Sequence, residues 1–360
     1  MTSIDIKKTF SLYSGKRVFV TGHTGFKGTW LVSLLKELGA EIKGYALEPL
    51  STPNHFDLLD LKNNIEHVFG DIRDLQNLNT AIQNFKPEFV FHLAAQALVK
   101  ESYKNPVNTF DTNIMGSINL LEAVRKCDSV RSLVYITSDK CYENVEWPWG
   151  YRENDPLGGQ DPYSASKGAA ELVFSAYARS YFSSRTNFGA ASVRAGNVIG
   201  GGDWAADRII PDCIRAIENN TPILLRNPKS TRPWQHVLEP INGYLLLGAR
   251  LYSNPNHFEG SWNFGPATSK TPTVEQVAKM LIKYIGKGAI KIEETFNKQH
   301  EANLLQLNCD KAEQLLGWCP KWDVEKTLAR TAEWYKVYMD GRNIENITKE
   351  QIYDYCEELK

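Results

Sequence analysis

Residues 16–39 read KRVFVTGHTGFKGTWLVSLLKELG and carry the pattern that decides the fold. An apolar run, residues 16–21, ends at a glycine-rich turn. Apolar residues then recur at helical spacing until Gly39 stops the pattern. A second apolar run, residues 41–46, follows directly. The segment is therefore predicted to form a strand, a tight turn, an amphipathic helix and a second strand.

The same unit repeats through the first half of the chain. The predicted strands are short, rich in Val, Phe and Ile, and only weakly alternating, as expected for strands covered on both faces: 16–21, 41–46, 65–69, 88–94, 132–137 and 188–194. Right-handed crossovers then leave few topologies other than a parallel sheet with helices on both faces. The predicted fold class is α/β, a doubly wound parallel (Rossmann) sheet with a smaller α/β carboxyl-terminal domain.

The composition and pattern of the sequence change near residue 200, where predicted loops rich in Gly, Pro and Trp separate isolated predicted helices. We expect a dinucleotide-binding domain over 15–200 and a substrate-binding domain over 201–360. The two are predicted to be interleaved, because SWNFG at 261–265 reads as one more buried strand and 233–265 could return to the first domain.

Composition excludes several classes of protein. The chain has 360 residues with a net charge of −1, so no general basic field is present to bind nucleic acid or an anionic membrane. No apolar run approaches the ~20 residues that span a bilayer. The six cysteines lie singly, without a CxxC pair, which predicts free thiols, no metal site and a cytoplasmic location.

The glycine-rich turn predicts a binding site for a dinucleotide. Gly22, Gly25 and Gly28 follow the first strand and open a helix, where glycines let a pyrophosphate approach N–H groups at the helix's positive end. The spacing is GxxGxxG, and a plain strand–helix turn is the alternative. The strand before and the helix after favour dinucleotide binding, with His23, Thr24 and Phe26 as further contacts of the turn.

The dinucleotide is predicted to be NAD. A carboxylate at the end of the second strand would bind the adenosine ribose, but the first acid there is Glu48. No arginine follows to bind a 2′-phosphate, so NAD is favoured over NADP. Asp71 and Ile72, just after the third strand, are candidates for adenine binding, and a helix N-cap region is the alternative there.

The catalytic candidates are five side chains. Ser138, Asp139 and Lys140 follow the fifth strand, and Tyr163 and Lys167 lie four apart on one helical face. A lysine ammonium beside a phenol favours the phenolate, so we expect a lowered pKa and a usable base at Tyr163. The YxxxK spacing alone is weak evidence for a catalytic pair, and the alternative is a tyrosine and a lysine on the protein surface. Together with the glycine turn and Ser138, the pair indicates oxidation of an alcohol.

The chain resembles the extended short-chain dehydrogenases/reductases that act on nucleotide sugars. The resemblance covers nearly the whole length of the chain. It is carried by TGHTGFKG, HLAAQ (92–96), NIMG (113–116), the Tyr163/Lys167 pair and RAGNVIG (194–200). Within the family, TSDKCY and RPWQHVLEP are most similar to the motifs of a 4,6-dehydratase. It implies NAD contacts at Leu93, Ala94 and Ala95. It also implies a homodimer or higher homo-oligomer, formed through a helix bundle that includes the helix of Tyr163.

The substrate is predicted to carry a diphosphate. Arg208 and Arg232 are carried forward as its ligands because a guanidinium can make bidentate contacts with it. Solvated charge is the preferred interpretation of the nearby basic side chains Arg215, Arg226 and Lys229. The resemblance adds Asn197 to the ligands, and it alone implies cytosine as the base, with CDP-glucose or a similar nucleotide sugar as the partner.

The resemblance implies a hydro-lyase reaction that opens a route to deoxysugars such as those of the O-antigen. Tyr163 takes the O4 proton as hydride leaves C4, and Asp139 then protonates the C6 hydroxyl. The dTDP-glucose dehydratases carry a glutamate where this chain has Lys140. We expect Lys140 to remove the C5 proton in its place. The alternative is that Asp139 both removes the C5 proton and protonates the C6 hydroxyl. A nucleotide-sugar 4-epimerase and a catalytically silent NAD-binding regulator are the competing functions.

Overall fold

The computed structural model describes residues 10–266, 271–292 and 304–359. Its strands, numbered along the chain, are β1 Arg17–Thr21, β2 Glu41–Ala46, β3 Glu66–Phe69, β4 Phe89–His92, β5 Ser132–Ile136, β6 Gly189–Arg194, β7 Val198–Ile199, β8 Ile223–Leu225, β9 Gln235–His236, β10 Gly260–Asn263 and β11 Ile290–Ile292. Parallel pairing joins the central sheet in the order β10-β6-β5-β4-β1-β2-β3. The predicted doubly wound parallel sheet is confirmed.

Helices cover both faces of this sheet. They are Phe26–Glu37, His55–Leu58, Leu61–Asn64, Leu75–Phe85, Val99–Lys104, Pro106–Phe110, Gly116–Arg125, Pro162–Tyr177, Ile209–Glu218, Leu238–Ser253, Pro255–Phe258, Val274–Ile285, Val324–Met339 and Ile344–Glu357. Short 3-10 turns lie at Ser11–Tyr13 and Asp139–Cys141, and π-helical turns at Asp111–Met115, Ala178–Phe182 and Ala312–Leu316. The two faces bury separate apolar clusters, so every inner strand is covered on both sides.

The strand order reverses between β1 and β4, and this reversal positions the site. β1 is followed by β2 on one side, whereas β4 and β5 extend the sheet on the other. In open α/β sheets such a reversal leaves a crevice at the carboxyl ends of the strands. The segments that follow β1, β4 and β5 carry the predicted site residues, and all three meet at this edge.

The carboxyl-terminal part of the chain adds two small ladders, β7 with β9 and β8 with β11. The helix Val324–Met339 packs against β9, and the helices Ile209–Glu218 and Val274–Ile285 pack against β8. The strand predicted at 261–265 is present as β10 and pairs with β6 in the first sheet. The two parts are therefore joined by the sheet itself. The residue limits of the two domains stay a prediction.

Neither a membrane span nor a metal cluster is found in the part of the chain that the structure describes. No helix there combines the length and the apolar character needed to cross a bilayer. In the same residues, His, Cys, Asp and Glu side chains nowhere gather in groups of three that could hold a metal ion.

Candidate active site

The glycine turn after β1 is closed against the segment after β4. Gly22 has φ of +75°, and a Cβ there would lie 2.7 Å from the backbone N of Ala94. A Cβ on Gly28 would lie 2.0 Å from the carbonyl oxygen of Gly22. Gly25 meets only that oxygen, at 3.4 Å, so its face is open. The first and third glycines thus permit the tight turn, and the second leaves room for a ligand to approach the backbone.

The open face of Gly25 lies at the positive end of the helix Phe26–Glu37. Gly25 is the residue before the helix, and no side chain of the described residues caps it. The first-turn N–H groups, which have no partner within a helix, are therefore available to an anion. Thr24 acts indirectly, because its hydroxyl donates to the carbonyl of Leu47 at 2.9 Å and so ties the turn to the end of β2. A dinucleotide pyrophosphate fits this arrangement.

His23, a predicted cofactor contact, points its side chain into the core. Its ring is completely buried and packs edge-on to Phe56 at 5.2 Å and against His67 at 5.8 Å. A Cβ on Gly44 would come within 2.4 Å of the imidazole, so β2 needs glycine there. Burial lowers the pKa of His23 to about 4, aided by His67. Only the backbone of His23 is left for the predicted contact.

Phe26 and Leu93 frame the turn on its two sides. A Cβ added to Gly200 would lie 3.3 Å from the ring of Phe26, so that ring packs toward the segment after β7. The backbone N–H groups of Leu93 and Ala94 each donate to the hydroxyl oxygen of Thr21 at 3.2 Å, which fixes this segment beside the turn. Ala95 is the next residue of the segment. Sequence reasoning placed these residues at one edge, and the structure brings them together.

Asp71, a predicted adenine contact, is held by Arg73. The Arg73 guanidinium donates to both carboxylate oxygens, with Nε at 3.0 Å from each, and it keeps the pKa of Asp71 below its usual range. The Tyr45 hydroxyl donates to the Asp71 carbonyl at 3.0 Å. Ile72 is buried, and a Cβ on Gly116 would lie 2.6 Å from its side chain. Asp71 therefore presents an oriented carboxylate, whereas the Ile72 side chain belongs to the core.

Ser138 and Asp139 form a buried pair at the end of β5. The Ser138 hydroxyl donates to Asp139 Oδ1 at 2.9 Å and accepts from the backbone N–H of Lys140 at 3.2 Å, capping a 3-10 turn. Asp139 is 3% exposed. A Cβ on Gly196 would lie 1.8 Å from Asp139 Oδ2, so only glycine leaves room for this carboxylate. The pair places an acid and a hydroxyl side by side in the crevice.

Tyr163 reaches the same point from the helix Pro162–Tyr177, which begins after the N-cap Asp161. Burial raises the pKa of Tyr163 to about 12, although a hydrogen bond with Ser138 lowers it. Lys167 lies with Nζ 6.0 Å from the centre of the phenol ring, and burial, helped by Lys27, lowers its pKa to about 8. In the protein alone the lysine thus does not bring the phenol's pKa toward neutrality as expected, because burial disfavours the charge of both groups.

Lys140 is only partly buried, and its ammonium does not pair with Asp139. No hydrogen bond or ion pair of its side chain occurs among the described residues. Lys140 directly follows the buried Asp139 in the 3-10 turn Asp139–Cys141.

Asn113 is a positioning residue that sequence reasoning did not single out. Its side chain accepts from the Gln96 N–H at 2.8 Å and donates to the Gln96 carbonyl at 3.0 Å and the Ser166 hydroxyl at 2.8 Å. Ser166 in turn donates to the Tyr163 carbonyl at 2.7 Å. Asn113 thus links the segment after β4 to the helix of Tyr163. The NIMG motif was the signal available for it.

A buried ion pair lies beneath Ser138. Glu171, from the helix of Tyr163, accepts from Arg194 of β6 at 2.8 Å and from Ser192 at 2.7 Å. It also accepts a short hydrogen bond from Thr137, the residue before Ser138. Burial raises the pKa of Glu171, but Arg194 and these hydrogen bonds outweigh it and keep the carboxyl below its usual range. The pair fixes the end of β5 against the helix.

Of the predicted anion ligands, Arg208 lies in the crevice. It donates to Asp203 at 2.9 Å and acts electrostatically on Tyr163. It is the N-cap residue of the helix Ile209–Glu218. Asn197 adopts φ of +51°, a conformation that asparagine tolerates, and its carbonyl accepts from Gln235. Arg215 instead donates to the Trp204 carbonyl at 2.9 Å and stabilises the loop.

Arg232 donates to the Thr231 carbonyl at 2.8 Å. It is the next residue after the loop 226–231, which lines a cavity of about 500 Å³. That cavity is lined by Arg226, Asn227, Pro228, Lys229, Ser230, Thr231 and Leu304. Arg226 also pairs with Asp207 at 3.7 Å. Arg226 and Lys229, which were predicted to be solvated charges, line this cavity.

Comparisons with known proteins extend along nearly the whole chain. The family model described as GDP-mannose 4,6 dehydratase matches residues 19–331. A CDP-glucose 4,6-dehydratase of Salmonella typhimurium is 50% identical over 354 residues, 97% of this chain and 98% of the relative. A UDP-glucose 4-epimerase of Halalkalibacterium halodurans is 27% identical, covering 92% and 99%. The structure of a Thermus thermophilus UDP-glucose 4-epimerase complex with NAD matches with TM-score 0.75 and 27% identity, covering 88% and 98%.

Proposed function

Because the chain belongs to the GDP-mannose 4,6 dehydratase family, we propose that it converts CDP-glucose to CDP-4-dehydro-6-deoxy-D-glucose and water with NAD as cofactor. The observation that carries the proposal is the buried Asp139 beside Ser138 and Tyr163. Elimination of water needs an acid there, and a 4-epimerase has no use for one. The much higher identity to a dehydratase than to the two epimerases supports the same choice.

The cofactor site combines the open face of Gly25 with the oriented carboxylate of Asp71. NAD, when bound, would supply the hydride acceptor and donor that the reaction needs at C4 and C6 of the sugar. The turn Gly22–Gly28 would hold its diphosphate at the helix N-terminus. Burial of Asp139 and Tyr163 excludes bulk water from the place where the sugar reacts.

The proton transfers are assigned to the side chains of the crevice. Tyr163 accepts the O4 proton as the phenolate, a form that the hydrogen bond with Ser138 favours because it lowers the pKa of the phenol, and the resulting 4-ketone acidifies the C5 hydrogen. Lys140, as the neutral amine, removes that C5 proton and gives a proton back to C5 when hydride reaches C6. Asp139 then gives its proton to the C6 hydroxyl, so that water leaves.

The nucleotide is assigned to the carboxyl-terminal part of the chain. Arg208 and Arg232 provide guanidinium groups for the diphosphate, and Asn197 precedes both in sequence, directly before β7. The cavity beside Arg232 has cationic walls and a volume within the usual range of ligand sites. Cytosine as the base rests on the similarity to the Salmonella enzyme. A nucleotide-sugar reaction fits the predicted cytoplasmic location.

A homodimer is proposed because exposed apolar side chains lie on two helical segments that pack against each other. The segment 106–115 packs against the helix Pro162–Tyr177. Val107 is 80% exposed, Leu172 is 62% exposed, and Met115 is also exposed. Exposed apolar groups on two packed helices are typical of a surface that a second copy covers.

The proposal is tested with purified protein, NAD⁺ and separate CDP-, dTDP-, GDP- and UDP-hexoses. We expect CDP-glucose to give a product lighter by one water, with the absorbance of a 4-keto sugar after base treatment. A product of unchanged mass with inverted C4 would assign the protein to the epimerases. Complete lack of turnover with all four nucleotides would favour a NAD-binding regulator.

A further inference from the structure

Lys27 is a charged residue of the glycine turn to which no role has been given above. It is the second residue of the helix Phe26–Glu37 and is only partly exposed. Its ammonium acts electrostatically on three groups from three other parts of the chain, namely Arg208, Asp139 and Lys167. Lys27 therefore lies where the cofactor turn, the catalytic residues and the carboxyl-terminal part of the chain meet.

This position is electrostatically unfavourable in the protein alone. A helix N-terminus carries a partial positive charge, and Arg208 and Lys167 add two cations. Asp139 is the carboxylate that opposes them, and it already accepts a hydrogen bond from Ser138. Lys167 is only 6% exposed and has no hydrogen bond or ion pair within the described ranges. Burial and Arg208 lower the pKa of Lys27 to about 8.

Cations gathered in this way are stabilised once an anion completes the site. We propose that Lys27 binds a diphosphate group. The inference deepens the proposed function, and the diphosphate has two sources there, the dinucleotide at the glycine turn and the nucleotide sugar at Arg208. An ammonium at this position reaches either source as a point charge, without the fixed geometry of a guanidinium.

Binding of a diphosphate by Lys27 is coupled to uptake of a proton. A nearby anion raises the pKa of an ammonium, and Lys27 starts at about 8. Complex formation at pH 8 therefore protonates the fraction of Lys27 that was neutral. The charged groups that face Lys27 are Arg208, Lys167 and Asp139, and Lys167 contributes to the same uptake.

The test compares Lys27→Met with Lys27→Arg and with Lys36→Met, a partly buried lysine at the other end of the same helix. Titration calorimetry at pH 8 in two buffers of different ionisation enthalpy measures affinity and proton uptake for NAD⁺ and, separately, for CDP. We expect Lys27→Met to weaken one ligand about 10–100-fold and to reduce its proton uptake. Lys27→Arg should bind within a few-fold of the parent protein, and Lys36→Met should be unchanged.

The ligand that loses affinity identifies the source of the diphosphate. Parent-like affinity for both ligands in Lys27→Met, with undiminished proton uptake, would overturn the inference. The inference would also be overturned if Lys27→Arg folds but binds the ligand as weakly as Lys27→Met does. If Lys27→Met does not fold, Lys27→Gln takes its place in this comparison. Failure of the parent protein to bind CDP and NAD⁺ would instead count against the proposed function. Turnover of CDP-glucose by the parent would separate the two failures.

Discussion

At the scale of single residues, Tyr163 is predicted to carry the first proton transfer. Tyr163→Phe removes only the phenolic oxygen, so we expect the fold to persist and turnover to fall by roughly 10²–10⁴. Tyr284→Phe, a partly buried tyrosine on the helix Val274–Ile285, is the control. Formation of NADH absorbance from CDP-glucose measures the step. Turnover near the parent rate in Tyr163→Phe would remove Tyr163 from the mechanism.

Lys140 is predicted to act on C5 and not on C4. Lys140→Met should therefore still form enzyme-bound NADH from substrate while it loses exchange of the C5 hydrogen with deuterated solvent. Mass spectrometry of recovered substrate and product measures the exchange, with Lys104→Met, a lysine on the helix Val99–Lys104, as the control. Exchange and product formation at the parent rate would leave Asp139 to handle both protons.

At the residue scale, a motif was enough to predict which side chains lie together, whereas burial of a side chain could not be predicted. The catalytic and binding roles of these residues stay predictions. Ser138, Asp139 and Tyr163 meet as their spacing after β5 and on a helix predicted. The side chain of His23 could not be placed, because its burial depends on a missing Cβ at Gly44, a strand away. The pKa of Tyr163 moved opposite to expectation because desolvation acts on the lysine as well as on the phenol.

At the scale of elements, the pair Glu171–Arg194 joins the helix of Tyr163 to β6 and supports the residue before Ser138. Glu171→Gln leaves a buried guanidinium without its counter-charge, so we expect the free energy of unfolding to fall by about 3–5 kcal/mol. Glu275→Gln, which breaks the exposed pair with Lys279, should cost less than about 1 kcal/mol. Urea unfolding measures both. Equal effects of the two variants would contradict the assigned role.

The strands of the first half were predictable because each apolar run stands between clear helical patterns. β1, β2 and β5 lie within the predicted runs, and β10 was anticipated at 261–265. The ladders β7 with β9 and β8 with β11 were not predicted. They are two or three residues long, and their pairing depends on loops that pack only in the tertiary structure.

For the whole molecule, buried histidines predict loss of stability in acid. Burial lowers the pKa of His23 to about 4 and of His55, His92 and His236 to about 3. The pKa of a histidine in the unfolded chain is about 6.5. As the pH falls from 6.5 toward 4, these histidines therefore bind protons in the unfolded chain but stay neutral in the folded protein. Each histidine then costs about 2 kcal/mol at pH 5. Above pH 6.5 the effect is absent.

Urea unfolding at pH 7.5 and pH 5 measures this loss. His55→Gln should lessen the drop by about 2 kcal/mol, whereas His257→Gln, at an exposed site on Pro255–Phe258, should not change it. The same drop in parent and His55→Gln would show that carboxylates, and not this imidazole, set the acid stability.

The proposed dimer is also tested on the whole molecule. Leu172→Glu places a charge on the helix Pro162–Tyr177, so we expect the protein to sediment as a monomer at concentrations where the parent is a dimer. Leu315→Glu is a matched control, since Leu315 is 61% exposed and Leu172 is 62% exposed. A parent that sediments as a monomer, or a dimer that survives Leu172→Glu, would count against the proposed interface.

The return of the chain to the first sheet has a consequence during synthesis. β10 is the partner of β6, yet residues 195–259 lie between them. At about 5–20 residues per second, a ribosome needs about 3–13 seconds to make that stretch. Throughout this interval β6 is an open edge on the nascent chain, the kind of edge that recruits foreign strands. Any truncation before Gly260 makes that open edge permanent.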